Sequence, residues 1–392
     1  MDAARVCRHG FHPFLSFDIV RRRYRADRDG VEVSKKRRPI ASPAHLDGYI
    51  FAYYAKMLGE CYERAVASDG FGHCVLAYRS GLGSNIEFAK AAFDEIKRRD
   101  ECIALAFDLE TFFDSIGHAT LKQNWAGLLG VDRLPADHFS VYKAITRYSV
   151  VSLKECRLRL GIAKGQKTPR PICPPTVFRT VIRGGASGLP NLVATNSTTY
   201  GIPQGSQISA LLSNLYMVEF DRDMSCLAQS IGGFYRRYSD DILWICRPSE
   251  ASYVEEALKD SLAKLGGTTK INDAKSERAI YHYEAHREIV CDRPIQYLGF
   301  TFDGTNTRIR SQTISKFWRR MIYAVRKTKR AAKRSTVALE LLYKRKIYRQ
   351  FSHLGHRNLI TYAKRSETLM GTGAIRIQMR RHVPRIRQEL EE

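Results

Sequence analysis

The sequence predicts an α+β fold, with antiparallel sheet and interleaved helices followed by a basic helical region at the C-terminal end. Three observations carry this. Residues 102–107 (CIALAF) form a continuous apolar run that ends in Asp108, the pattern of a short strand buried on both faces. Residues 234–246 (FYRRYSDDILWIC) place aromatic and β-branched residues on either side of Ser239-Asp240-Asp241, the pattern of strand, tight turn and strand. Residues 306–392 hold 23 Lys and Arg against 5 Glu, and Ile314, Phe317, Trp318, Met321, Ile322 and Val325 recur within them at helical spacing.

At 392 residues the chain is long enough for a sizeable core and two or three packed subdomains. Its net charge of +24 points to a polyanionic partner, nucleic acid above all. The nine cysteines show no CxxC pair or regular spacing, which argues for reduced thiols in a cytoplasmic setting. Cys7, His9 and His12 make a loose CxHxxH cluster with no second ligand pair at zinc-finger distance, and it reads as structural or incidental. The first residues are polar and basic, unlike a secretory signal, and no apolar run approaches a membrane span.

In chain order, residues 1–48 carry the clusters Arg21-Arg22-Arg23 and Lys35-Lys36-Arg37-Arg38, with an extended pair expected around Val31 to Ile40. Residues 49–66 read as a helix with a wide apolar face. Residues 70–85 are a glycine-rich loop holding Tyr78 and Arg79, and Ser84 or Asn85 caps a helix over 86–99. No Gly-x-x-x-x-Gly-Lys phosphate loop is present. After Asp108, Asp114 or Ser115 is expected to cap a helix from about 118 to 129. Residues 155–198 are rich in Gly, Pro and basic residues and read as a long irregular connection. Gly201-Ile202-Pro203-Gln204-Gly205-Ser206 is a tight turn opening a helix to about Met224, capped by Ser206 or Ser209. Residues 250–266 are an amphipathic helix, and 297–304 suggest a second hairpin.

The chemistry concentrates in Asp108, Asp240 and Asp241. Adjacent carboxylates among buried strands need a positive partner, and Mg²⁺ takes hard oxygen ligands while sharing its sphere with substrate phosphates. Three carboxylates from a strand end and a turn can serve two such ions, an arrangement suited to in-line phosphoryl transfer.

The order Asp108-x-x-x-x-Phe113-Asp114, Gly-Ile-Pro-Gln-Gly-Ser at 201–206, Tyr-x-Asp-Asp at 238–241, Lys275 and Tyr-Leu-Gly-Phe at 297–300 resembles a reverse transcriptase over nearly the whole chain. Its nearest likeness is to the bacterial branch shared by group II intron proteins, retrons and defence-associated enzymes. The resemblance implies a right-hand polymerase: fingers over 1–100 with part of 131–200, palm over 101–130 and 200–304, and a basic helical thumb over 305–392. It implies two Mg²⁺ held by Asp108, the Leu109 backbone carbonyl, Asp240 and Asp241. Phe113 would be the gate against a ribose 2′-hydroxyl. Gln204 and Gly205 would line the nucleotide pocket, and Arg38 and Arg79 would reach the triphosphate. Tyr297, Leu298, Gly299 and Phe300 would grip the primer. Lys275 matches the lysine that protonates pyrophosphate, alongside the simpler reading of a surface lysine.

Ser239 stands where the family commonly has alanine or methionine, and no nuclease, RNase H or integrase segment is evident. The residues Lys36 to Ile40, the block at 297–304 and Asn358-Leu359-Ile360-Thr361-Tyr362 most resemble defence-associated reverse transcriptases of the type 2 group. That implies a partner non-coding RNA as template, a DNA product or primer, dNTPs as substrates, and a role in antiphage defence. A silent RNA-binding scaffold and a template-independent polymerase are the competing readings.

Overall fold

The computed structural model describes residues 1–27, 30–163, 165–169, 171–185, 188–284, 288–334 and 344–391. The side chains of the Arg21-Arg22-Arg23 cluster and of Val31 lie outside the described set. The architecture is mixed helix and sheet, divided into two units. The first comprises Met1–Tyr78, Leu109–Ser225 and Ala257–Ile271, and the second Arg79–Asp108, Cys226–Glu256 and Asn272–Glu392.

The first unit carries a four-stranded sheet in the order Gly30–Ser42, Phe14–Asp27, Ser149–Ser152, Val193–Thr195. Its long hairpin pairs from Leu15↔Ser42 out to Asp27↔Gly30, well beyond the expected residues 31–40. Antiparallel pairing does not hold throughout this sheet, because Phe14–Ser16 runs parallel to Val150–Ser152. The long stretch between them, which holds several helices and the strand Glu101–Asp108, returns the chain to the same side, which a parallel pair requires.

Helix His45–Ser68 buries Ile50, Phe51, Tyr54, Leu58, Tyr62 and Val66, the face its apolar spacing predicts. Residues 155–198 are less irregular than expected. Ser152 caps helix Leu153–Arg159 by accepting from the Glu155 N–H, and Phe178–Ile182 forms a π-helical turn. Val151, Cys156 and Ile182 share a small core there. Two capping expectations fail in this unit. Helix His118–Leu128 follows Gly117 with no side-chain cap, while Ser115 donates to the Phe112 carbonyl. Ser206 and Ser209 cap nothing either: helix Ser209–Tyr216 follows Ile208, the Ser209 hydroxyl donates to the Pro203 carbonyl, and the chain breaks at Met217 before helix Val218–Ser230.

The second unit is built on a five-stranded, fully antiparallel sheet in the order Phe234–Tyr238, Asp241–Cys246, Glu101–Asp108, Glu277–Tyr283, Ile289–Cys291. The strand read from the CIALAF run is its centre, buried along most of its length. A smaller sheet of Ile295–Tyr297, Phe300–Phe302 and Thr307–Ile309 adjoins it in the same core. Helix Asn85–Arg98 starts on a full capping box between Ser84 and Glu87. It contributes Ile86, Phe93 and Ile96 to that core, with Phe93 stacked on Phe302 at 4.8 Å between centroids. Phe317, Met321 and Val325 of helix Ser311–Arg334 enter the same core, as do Ile360, Ile375 and Ile386 from the helices after it. At about 1.5–3 kcal/mol for each fully buried large apolar side chain, the core is what fixes the sheet and the basic helices as one body.

Candidate active site

Asp108 is the last residue of the central strand of the second unit, and Asp241 is the first residue of its neighbour. The antiparallel register sets them directly opposite one another. Directly opposed residues have Cα atoms about 4.5–5.5 Å apart and side chains on one face. Asp240 precedes Asp241 in the two-residue turn closed by the Tyr238↔Asp241 pair. Burial, then the charges of Asp240 and Asp108, push the Asp241 carboxyl up to about 7, against the weaker pull of Arg310 and Lys275. Like charges gathered in a half-buried place raise a carboxyl in this way, and a cation relieves it.

A tethered cation is already present. The Lys275 ammonium donates to Asp108 Oδ2. Lys275 ends a 3₁₀ turn (Asp273–Lys275) fixed by the Asn272 N–H donating to the Asp108 carbonyl at 2.7 Å. Sequence alone offered a pyrophosphate donor or a surface lysine; the structure places it on the first of the three carboxylates. Arg310 carries no motif and was missed by sequence reasoning. It is held at the sheet by its N–H donating to the Gly299 carbonyl at 3.0 Å.

The turn bearing the acids is under backbone strain. Ser239 has φ +61°, where a side chain is disfavoured. Arg237, fully buried, donates from Nη1 to the Ser239 carbonyl at 3.1 Å and so braces the turn from beneath. Nothing in the pattern RRYSDD marks one arginine as buried; only the strand alternation, which puts Tyr235 and Arg237 on the inner face, could have signalled it.

The Tyr297–Phe300 segment is a two-residue hairpin, with Leu298 at φ +44° and Gly299 at φ +93°. Positive φ at both central positions is the turn that matches strand twist, and Gly299 meets the demand without strain. Tyr297 and Phe300 are buried, and the Tyr297 hydroxyl has no hydrogen-bond partner among the described residues. Burial, with a smaller effect from Asp241, raises the pKa of that phenol and keeps it protonated. Arg79 also lies in this unit, half-buried.

The first unit assembles the other predicted residues. The Ile202 N–H donates to the Phe113 carbonyl at 2.9 Å, and the Ala41 N–H donates to the Gln204 carbonyl at 2.8 Å. The 201–205 turn is thus tied on one side to Phe113 and on the other to the strand carrying exposed Arg38. Gly205 has φ +121°, and a Cβ there would meet the Ala41 carbonyl oxygen and Ile40 Cγ2 at 2.9 Å each. Only glycine allows that approach. Gly201 accepts at its carbonyl from His118 Nε2 at 2.8 Å, so that nitrogen carries the proton. Burial pushes the His118 imidazole down. Leu109 is buried and bridges Ile271 in the same unit.

Residues 162–302 match a family model for reverse transcriptase (RNA-dependent DNA polymerase). That span takes in Gln204, Gly205, Asp240, Asp241, Lys275 and the 297–300 hairpin, and leaves Arg38, Arg79, Asp108 and Phe113 outside it. No curated protein matches the sequence. Among solved structures, apo telomerase from Candida tropicalis lacking its C-terminal domain is 11% identical, with a TM-score of 0.45, covering 75% of this chain and 57% of that one. Telomerase from the same organism in complex with a TWJ fragment of telomeric RNA is 12% identical, with a TM-score of 0.42, covering 99% and 64%. The corresponding Candida albicans complex is 10% identical, with a TM-score of 0.40, covering 99% and 60%. The chain therefore spans somewhat over half the length of these proteins.

Proposed function

We propose that this chain is an RNA-directed DNA polymerase that copies a partner non-coding RNA into DNA, with dNTPs as substrates, in bacterial antiphage defence. The observation that carries the polymerase reading is the placement of Asp108 opposite Asp241, with Asp240 beside it in the turn. The donor set fits Mg²⁺: hard carboxylate oxygens, one of them raised to about 7 by burial and then by the charges of its neighbours. Asp108, Asp240 and Asp241, with the Leu109 carbonyl, would hold two ions. When bound, these would supply the charge that favours an ionised primer 3′-hydroxyl and a departing pyrophosphate.

The remaining work falls to the chain's own residues. Phe113 stands against a ribose 2′-hydroxyl, Gln204 and Gly205 offer flat backbone to the nucleotide, and Arg38 and Arg79 take the triphosphate, for which a guanidinium fork is suited. The hairpin Tyr297-Leu298-Gly299-Phe300 positions the primer end. Lys275, resting on Asp108, keeps a proton donor at the acids, ready for the leaving pyrophosphate. In the right-hand division, residues 1–100 with part of 131–200 act as fingers, 101–130 and 200–304 as palm, and 305–392 as thumb. The reduced thiols and basic charge accord with a cytoplasmic nucleic-acid enzyme. The defence role rests on the likeness of Lys36 to Ile40, 297–304 and 358–362 to the type 2 group.

The test is synthesis by the purified chain, with its copurified RNA, given dNTPs or rNTPs and Mg²⁺. DNA complementary to the copurified RNA is the expected product, absent from the Asp240→Ala, Asp241→Ala double variant. RNA product alone would contradict the Phe113 gate, and DNA made after RNA removal would indicate a template-independent polymerase. A double variant that still gives full phage protection would make the chain an RNA-binding scaffold.

A further inference from the structure

We infer that His9, His12 and Asp47 form a binding site for one borderline divalent metal ion of the zinc type, in the first unit and separate from the carboxylates of the central sheet. Among the described residues they are the one set of three His, Cys, Asp or Glu whose donor atoms all lie within 4.8 Å of one another. His9 closes the short helix Ala3–Arg8, His12 lies in the loop before strand Phe14–Asp27, and Asp47 sits in the first turn of helix His45–Ser68.

The spacings bracket those of a metal centre. His9 Nε2 is 2.7 Å from Asp47 Oδ1, and His12 Nδ1 is 3.7 Å from Asp47 Oδ2. Donors about 2.0–2.2 Å from a tetrahedral ion stand about 3.3 Å apart, between those two values. Two imidazoles and one carboxylate, with water in the fourth place, suit zinc-like ions over Mg²⁺, which prefers oxygen. The distribution of burial is also that of a site. Asp47 is 1% exposed, an uncommon setting for a carboxylate, whereas the His12 side chain is 64% exposed. The ligand that must be held is inside, and the ion can arrive from the side of His12.

Supporting contacts hold the set in place. The His12 N–H donates to Asp47 Oδ2 at 2.8 Å, fixing the carboxylate and the loop together. Phe11 packs edge-on to His9 at 4.9 Å and stacks on Phe51 at 5.4 Å, which fixes the loop over the helix. The ion would take the place of the His9–Asp47 hydrogen bond. His9 would carry its single ring proton on Nδ1, leaving the Nε2 lone pair for the ion, and binding would weaken in acid, where both ring nitrogens are protonated. The consequence would be a clip between residues 38 apart in sequence, closing the N-terminal segment onto the long helix. Cys7, the third member of the sequence cluster, is exposed and outside the set, and Asp47, which sequence reading missed, takes its place.

The experiment uses the full chain, stripped by chelator and titrated with Co²⁺ in excess Mg²⁺. One equivalent is expected to bind with the visible absorption of four-coordinate cobalt and to be displaced by Zn²⁺. His12→Ala, at an exposed position that leaves the fold intact, should weaken binding by about tenfold or more. It should also abolish the rise in Tm that Zn²⁺ gives the parent chain. Cys7→Ser, and the pair Asp240→Asn with Asp241→Asn, should leave the band unchanged. Absence of a visible band, a band that survives His12→Ala, or one lost with Cys7 or with the two sheet aspartates would overturn the site.

Discussion

Asp241 sits in an unfavourable place for a negative charge, and its pH dependence follows from that. Its carboxyl is lifted from the usual range to about 7 by burial and by Asp240 and Asp108. The folded chain therefore keeps a proton that the unfolded chain releases. This contribution to stability is fully present below about pH 4 and is lost as pH rises through about 7. The Tm of metal-free protein should fall from about pH 4 to about pH 7 and level off above it, and Mg²⁺ at pH 8 should recover it. Asp241→Asn should flatten both responses; parallel curves for parent and variant in a thermal-melt series would place the cause elsewhere. Asp47 illustrates why such residues differ in legibility. An acid in the first turn of a helix ordinarily answers the helix dipole. Nothing in its sequence neighbourhood says that it is buried and shared by two histidines 35 and 38 residues away.

At the scale of elements, the turn at 201–205 joins Phe113 to Ala41 through two backbone hydrogen bonds, and Gly205 makes the close approach possible. Gly205→Ala adds a Cβ at a positive φ and against a carbonyl oxygen. It should cost about 1–3 kcal/mol, read as a lowered denaturation midpoint. If the turn offers the nucleotide surface proposed above, the variant should also raise the KM for dNTP more than it lowers kcat. An unaltered midpoint would show that the strand carrying Ala41 yields easily. The elements read best from sequence were those with a single strong period or a demanding turn: the central strand, the acid-bearing hairpin, the cap at Ser84 or Asn85, which the structure gives to Ser84, and the apolar stripe of Ser311–Arg334. The misjudged ones were governed by tertiary contacts. Ser209 turns to Pro203 instead of capping, the helix after it breaks at Met217, and the first strand gains a parallel neighbour from far along the chain.

For the whole molecule, the +24 charge is an expectation about salt. Helix Ser311–Arg334 buries Phe317, Met321 and Val325 and leaves Arg320, Lys327 and Arg330 exposed on its other face. RNA affinity should fall linearly in log–log terms with salt. Replacing those three residues with alanine should reduce the slope by about 0.7 for each phosphate no longer neutralised, without changing the fold. An unchanged slope in a filter-binding series would place the RNA on another surface. The charge, the sheet and the acids were legible because composition and short-range pattern record them; the division into two units was not, since the helices from 306 onward share a core with a sheet whose strands begin at residue 101.

The Asn85 side chain has a further consequence. Its amide nitrogen donates both to the Leu298 carbonyl at 3.0 Å and to the Tyr362 hydroxyl at 2.9 Å. Two residues on, Glu87 accepts from Arg365 at 2.6 Å. The start of one helix thus acts as a rivet through the 297–300 hairpin and a helix more than sixty positions later. The hairpin is thereby held by the tail of the chain as well as by its own two strands.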